Sequence, residues 1–337
     1  MDDMEKIIVD ESYNTEEIEV DSSWLRDFDS DYFEYRRKWD IASQGTGYLS
    51  DIPLFLEVEA SYSCNYFCPR CPRQVLGHEG RTGFLSDEFF GILFQEAKKY
   101  RIPSINLSHG GESLLRKDLP ELIRKSKDNG VLDIMIHTNG SLLNKQLSID
   151  LIQSGLTKIN FSLDAASPQV YGKLRSEGKY EKVISNINDF IEVRNKIGRS
   201  YPRIRLSFVV CDENKHEQET FYELWKDKVN VIAFQQFYDF SKGNDSDGVD
   251  LSNLGCVPYY CGQLWSLLAI NYEGDILPCL HDYEHENVLG NLKTHSLYEC
   301  WHSEKMNRYR ELHIKNRWHE IPMCCRCVNS VERVTQK

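Results

Sequence analysis

From Ile52 onward, short apolar runs rich in β-formers alternate with helical patterns. The runs Ile52–Ala60, Ser104–Ser108, Asp133–His137, Lys158–Leu163, Arg203–Val210 and Asn230–Gln235 read as strands. Helical periodicity fills the gaps at Ser86–Tyr100, Leu119–Asn129, Lys145–Ser154, Tyr180–Ile197 and Glu217–Lys228. Strands separated by helix-length crossovers predict an α/β fold, a parallel sheet with helices on its outside. In such folds chemistry gathers at the carboxyl ends of the strands.

The flanks follow other patterns. Residues 1–50 hold fourteen acids and five bases, so −9 of the chain's net −12 lies there. The first twenty or so residues are expected to be flexible. Ser22–Trp39 is expected to form a short helix, entered through Asp21, Ser22 or Ser23, that lays its aromatics on the body as a surface extension without a catalytic role. Past the last strand, Tyr238–Gly255 is polar, rich in Gly, Asn and Asp, and reads as a connecting loop over the strand ends. Ser266–Asn271 and Asp275–Leu277 then form a hairpin around Tyr272-Glu273-Gly274, and Ser296–Leu312 a helix. The division expected is an acidic extension (1–50), a main domain (51–240), and a linker with a small cysteine-rich domain (241–337).

The 337 residues, 41% hydrophobic and 12% aromatic, can bury a full core. The negative charge disfavours nucleic acid or an anionic membrane as partner. No run approaches a membrane span and no signal-peptide pattern leads the chain, so a cytoplasmic location is expected. In that compartment eleven cysteines suggest metal ligands or catalytic thiols before disulfides.

The cysteines cluster twice. Cys64, Cys68 and Cys71 stand in a C-x3-C-x2-C loop just after the first strand, stiffened by Pro69 and Pro72. Three thiolates leave one iron of a [4Fe–4S] cube open to an outside ligand, whereas buried thiols or a zinc site completed by His78 are the alternatives. Strand-end loops follow at His109-Gly110-Gly111-Glu112, Thr138-Asn139-Gly140 and Asp164-Ala165-Ala166-Ser167. Glycine pairs let a backbone approach a ligand, and a carboxylate beside them receives an ammonium group. Farther on, Cys261, Cys279, Cys324 and Cys327 supply four thiolates, enough for an iron–sulfur cluster or for zinc, with Cys325 able to replace Cys324. Cys211, Cys256 and Cys300 read as packing residues.

The three-cysteine loop resembles the signature of the radical S-adenosylmethionine (SAM) enzymes. Cys261, twelve residues, Gly274, four residues and Cys279, closed by Pro322-x-Cys324-x2-Cys327, resembles their SPASM extension in a shortened, twitch-like form. Asn287–Leu292 and the following helix with Trp301 resemble its linker. The resemblance covers about residues 52–330. It implies a partial (β/α)6 barrel followed by a small cluster domain, a SAM-binding [4Fe–4S] cluster on Cys64, Cys68 and Cys71, and one auxiliary [4Fe–4S] cluster on Cys261, Cys279, Cys324 and Cys327.

For SAM, the resemblance implies Gly110, Gly111 and Glu112 at the amino group, with Ser113 where proline is usual. Asn139, Ser162 and Asp164 would face the ribose or carboxylate, and Arg175 would pair with the carboxylate. Arg70 stands where an aromatic or large apolar residue usually meets adenine. The implied activity is reductive cleavage of SAM to a 5′-deoxyadenosyl radical that takes a hydrogen atom from a small molecule such as a sugar or aminocyclitol. Oxidation would use the auxiliary cluster, and epimerisation would use a thiol hydrogen donor, for which Cys211 is the candidate. An electron donor such as flavodoxin or ferredoxin is implied. His109, His137, Gln235 and Tyr238 are candidate substrate contacts. A peptide- or protein-modifying maturase and a zinc-stabilised binding protein are the other readings.

Overall fold

The computed structural model describes residues 6–10, 15–44, 47–78, 80–176, 178–237, 259–325 and 327. Tyr238, the glycine-rich stretch at 241–248 and Cys256 lie outside them. Among the described residues eleven strands make one sheet: β1 (Lys6–Asp10), β2 (Thr15–Glu19), β3 (Phe55–Val58), β4 (Ser104–Asn106), β5 (Asp133–Thr138), β6 (Lys158–Ser162), β7 (Arg203–Val210), β8 (Val231–Gln236), β9 (Leu267–Ile270), β10 (Asp275–Leu277) and β11 (Gly290–Asn291). The spatial order is β1-β2-β8-β7-β6-β5-β4-β3-β9-β10-β11.

Strands β3 to β8 pair in parallel with their neighbours in sequence, the six β–α units expected. The helices are α1 (Ser30–Ser43), α2 (Pro72–Val75), α3 (Asp87–Tyr100), α4 (Leu119–Asp128), α5 (Lys145–Ser154), α6 (Pro168–Leu174), α7 (Tyr180–Ile197), α8 (Gln218–Trp225), α9 (Leu297–Trp301), α10 (Glu304–Ile314) and α11 (Pro322–Cys325). Local chemistry sets their ends. Ser86 and Asn144 cap α3 and α5 by accepting from Phe89 N and Leu147 N, and glycines in the left-handed region close α5 and α7. The apolar faces of α3, α4, α5 and α7 bury Phe90, Leu93, Ile123, Leu151, Ile152, Ile187 and Phe190 against the sheet. None of the described helices is long and apolar enough to cross a membrane.

Three expectations are corrected. The first twenty residues are not simply flexible, because β2 pairs antiparallel with β8 along its length. Glu17 on β2 reaches past β8 to β7, where it forms an ion pair with Arg205 at 2.7 Å. The single helix at Ser22–Trp39 is instead a 3-10 turn over Ser23–Asp27 followed by α1, which Asp29 starts by accepting from Asp31 N and Tyr32 N. The helix expected over Ser296–Leu312 is two, because Ser303 caps a new start by accepting from Met306 N.

The hairpin β9–β10 forms as expected, but β9 also pairs in parallel with β3. The C-terminal cysteines are thereby joined to the barrel through the strand that leads into Cys64.

Candidate active site

On β4, β6 and the first half of β7 the polar residues fall at every second position, and Glu57 on β3 and His137 on β5 continue the same face. Glu57 is paired in register with Asn106, His137 with Asn160, Asn160 with Arg205, and Ser162 with Ser207. Register partners share a face, and His137 and Ser162 line a cavity of about 280 Å³ at the strand ends. The sheet therefore puts polar side chains into the cavity at His137 and Ser162, where an ordinary barrel interior would be branched and apolar.

The three-cysteine loop hangs over this cavity. Cys71 N donates to Cys68 O at 3.0 Å, and Pro72 begins α2 directly after the last thiol. Asn65 holds the loop from the other side, its Nδ2 donating to Ser141 Oγ at 2.9 Å while its Oδ1 accepts from Asn139 Nδ2 at 3.0 Å. Gly111 explains its own presence: a Cβ there would stand 2.4 Å from Ser61 O and 2.5 Å from Ser63 O. The glycine pair thus lets the protein's own chain close in, besides leaving room for a ligand.

Cys64, Cys68 and Cys71 all line the cavity. So do Gly110, Gly111, Glu112, Asn139, Ser162, Asp164, Arg175 and Cys211. Burial pushes the Cys64 thiol up to about 11 and raises Cys68 as well. Such thiols give up their protons when a cationic metal centre takes their place.

Glu112 is buried and brackets two strand ends, accepting from Thr138 Oγ1 at 2.7 Å, Asn139 N at 2.8 Å and Leu114 N at 3.1 Å. Burial still holds its pKa above the ordinary value. Asp164 sits in the left-handed region (φ 61°), a conformation that costs a non-glycine residue energy and that collects at functional sites. Its Oδ1 accepts from Val209 N at 2.8 Å and its Oδ2 pairs with Arg175.

Arg175 also points Nη1 at Cys68 Sγ, 3.8 Å away. Its Nε is buried and has no partner among the described residues. A donor left in that state beside a carboxylate and a thiol fits an anionic ligand group such as the carboxylate of SAM. Arg70 is committed elsewhere, paired with Glu213 at 2.5 Å and lying 4.4 Å over the Phe237 ring.

A second, smaller cavity is lined by Cys261, Cys279, Cys324 and Cys327 with Tyr259, Leu264, His281 and Met323. Burial drives the thiols of Cys279 and Cys324 well up. Cys279 Sγ lies 3.2 Å from Gln263 Oε1 and accepts from His281 N at 3.3 Å. His313 Nε2 is 3.5 Å from Cys324 Sγ. Cys325 is turned away and bonds the carbonyl of His319, which favours Cys324 in the choice between the two. Cys300 is a packing residue, 1% exposed. None of the ten described cysteines is in a disulfide.

Sequence reasoning missed Asn65, Ser141 and the inward carboxylates Glu57 and Glu59. The signal was present in Leu56-Glu57-Val58-Glu59 and Ile105-Asn106-Leu107-Ser108, where polar residues alternate through a strand that the α/β pattern buries on both faces.

The sequence model of the radical SAM superfamily matches residues 58–224, and that of the iron–sulfur cluster-binding SPASM domain matches residues 261–328. A probable GTP 3′,8-cyclase of Methanocaldococcus jannaschii is 31% identical over 183 residues, 54% of this chain and 58% of the relative. One from Saccharolobus solfataricus is 35% identical over 169 residues, 50% of this chain and 52% of the relative. The chain spans about half the length of the curated relatives it matches. Among solved structures, anSMEcpe with bound AdoMet superposes with a TM-score of 0.60 at 15% identity, over 82% of this chain and 91% of that one. BtrN in complex with AdoMet and 2-DOIA gives 0.55 at 17%, over 82% and 93%. Streptococcus suis SuiB bound to precursor peptide SuiA gives 0.55 at 17%, over 83% and 70%. At these identities the likeness establishes the fold.

Proposed function

We propose, from the premise that the chain belongs to the radical SAM superfamily and carries an iron–sulfur cluster-binding SPASM domain, that it is an enzyme that removes a hydrogen atom from a carbon of a polar small molecule. The substrate class is a sugar, an aminocyclitol or a similar polyol, and the outcome is oxidation or epimerisation. The observation that carries this reading is the pair of thiol-lined cavities, one beneath the three-cysteine loop and one lined by Cys261, Cys279, Cys324 and Cys327. The expected cofactors are SAM, a SAM-binding [4Fe–4S] cluster and one auxiliary [4Fe–4S] cluster, reduced by a partner such as flavodoxin or ferredoxin. When bound, SAM and its cluster supply a carbon radical strong enough to take hydrogen from an unactivated C–H bond.

The chain's own part is binding, aiming and enclosure. Cys64, Cys68 and Cys71 hold the first cluster and leave one iron to SAM. Arg175 offers its unpartnered Nε to the SAM carboxylate, with Asp164 fixing the guanidinium. Gly110, Gly111 and Glu112 present backbone oxygens and a carboxylate edge to the SAM amino group. Asn139 and Ser162 border the same space. His137, which lines the same space and is held by Asn160 at 3.3 Å, offers a hydrogen bond to a substrate hydroxyl, a contact that favours a polyol over an apolar side chain. Cys261, Cys279, Cys324 and Cys327 hold the auxiliary cluster, and four protein ligands leave no open iron for substrate, so the role that fits is electron transfer.

Epimerisation has its own support in Cys211. It lines the larger cavity, and burial raises its pKa and so keeps it protonated as a hydrogen donor. The test is anaerobic reconstitution with SAM and dithionite in the presence of carbinol-deuterated sugars and aminocyclitols, with peptides and GTP as comparison. Deuterium in 5′-deoxyadenosine from the first group is expected. Transfer only from peptides or GTP, or no 5′-deoxyadenosine at full iron loading, would overturn the reading.

A further inference from the structure

We propose that His109, with the carboxylate of Glu59 behind it and the buried carboxyl of Glu57 beside it, is the group that accepts the hydroxyl proton of the substrate during oxidation. This rests on the oxidative reading above. His109 follows β4 and immediately precedes Gly110, which lines the larger cavity. Its Nδ1 is 3.9 Å from Glu57 Oε1 and its Nε2 is 3.9 Å from Glu59 Oε1. These separations are too long for direct hydrogen bonds and suit a small shift or a bridging water. The imidazole keeps 15% exposure against 8% and 3% for the two carboxylates, so the ring is the accessible tip and the acids are its backing.

The backing is itself fixed. Glu57 accepts from Asn106 Nδ2 at 2.8 Å. Glu59 accepts from Tyr272 N at 3.1 Å and lies 3.6 Å from His285 Nε2. Only a thin wall separates Glu59 from the cavity, since a Cβ on Gly110 would stand 3.1 Å from its Oε1. Tyr283 stacks on the His109 ring with centroids 5.7 Å apart, and its hydroxyl is 3.4 Å from Nδ1 of His281, which lines the four-thiol cavity. The group therefore sits between the two cavities.

The other candidates around the cavity are poorly suited. Asp164 and Glu112 belong to the SAM end of the cavity and already accept from Arg175, Val209 N, Thr138 Oγ1, Asn139 N and Leu114 N. His137 lines the cavity and is exposed there, but its Nε2 is already engaged by Asn160 Nδ2 at 3.3 Å. Burial keeps His109 neutral, ready to accept, but Glu59 opposes that shift and would stabilise the imidazolium once formed.

The balance of the step is simple. After the substrate carbon has lost a hydrogen atom, its O–H bond breaks, the proton forms an N–H bond on His109, and the C=O bond is completed. The remaining electron leaves to a one-electron acceptor of the iron–sulfur class, the auxiliary cluster. The substrate has then lost one hydrogen as an atom and one as a proton and an electron.

The decisive measurement is the amount of oxidised product formed per 5′-deoxyadenosine by the anaerobically reconstituted full chain, using a panel of carbinol-deuterated cyclitols, aminocyclitols and hexosamines. His109→Gln should leave deuterium transfer to 5′-deoxyadenosine within about threefold and lower the product ratio by about a hundredfold, the scale of a lost general base. Added imidazole should restore the ratio in His109→Ala. Glu59→Gln should lower the same ratio, and it carries the test if the His109 variants lose iron. A parallel fall of both products, or an unchanged ratio, overturns the assignment. If the wild type transfers deuterium from no member of the panel, the functional reading fails first and this assignment with it.

Discussion

Asn139 Nδ2 donates to Asn65 Oδ1 at 3.0 Å, across 74 positions of the chain. The bond joins the three-cysteine loop to the turn after β5, and Asn65 Nδ2 adds a second tie to Ser141 Oγ at 2.9 Å. The spread of three thiols is therefore set by a side chain that is not itself a ligand.

Replacing Asn65 by Ala should loosen the loop without removing a thiol. Two hydrogen bonds go and buried partners are left unsatisfied, a cost of about 1–3 kcal/mol. Iron loading after reconstitution should stay near that of the wild type, while the SAM-binding cluster should be lost faster on exposure to chelator, followed by its absorbance. Loss at the wild-type rate would show that the tie does not matter.

Arg175 yields a prediction on affinity. Arg175→Lys keeps a positive charge beside Asp164 but loses the planar fork and the free Nε. Such a change is not conservative where bidentate contacts matter. SAM binding to the iron-loaded protein should weaken by about tenfold to a hundredfold, or about 1.4–2.7 kcal/mol. Equilibrium dialysis reads this directly, and unchanged affinity would remove Arg175 from the SAM site.

How much of this was legible in the sequence follows from the range of the forces involved. The six strands and five helices of the barrel are written in local periodicity, and α7 lies where the helical pattern near Tyr180–Ile197 predicts it. The thiol sets were legible because cysteine spacing is a local record of ligand geometry. The edge of the sheet was not. β2 holds to β8 through ladder bonds and to β7 through Glu17, whose partners Arg203 and Arg205 lie 186 and 188 positions away. Nor could periodicity show that Glu57 and His109 meet, since each reads as an ordinary polar residue in its own strand or turn. The break at Ser303 depended on a single hydroxyl, a cap that an otherwise continuous helical pattern conceals.

Glu17 makes the docking of β2 pH-dependent. Burial opposes its ionisation, yet Arg205 and Arg203 outweigh burial and hold its pKa below 4.5. A carboxyl with a lowered folded pKa contributes stability above its unfolded value, and that contribution is lost as pH falls through the folded value. Glu17→Gln should therefore be less stable than the wild type at pH 7 by about 1.5–3 kcal/mol, the worth of hydrogen bonds to charged groups. The gap should close as pH drops below 4.5. Anaerobic thermal melts between pH 7 and pH 3 provide the check, and a gap that widens toward acid would contradict the pairing.

The closing cysteines give the most direct test of the second cavity, because adjacent thiols are expected to behave oppositely. Cys324 Sγ faces the cavity beside His313 Nε2, whereas Cys325 Sγ is turned to the carbonyl of His319. If four thiolates saturate one cluster, Cys324→Ala removes a corner and should cut iron from about eight to about four per chain. Cys325→Ala should leave it at about eight. The loop proposed to hold the SAM-binding cluster, Cys64 to Cys71, is separate from this turn, so that cluster's electron paramagnetic resonance signal should survive in both variants. The reverse pattern would move the ligand one position along the chain. Equal loss in both would mean that the C-terminal turn must fold as a unit before either thiol can bind, and equal retention would show that neither thiol is needed to hold the cluster.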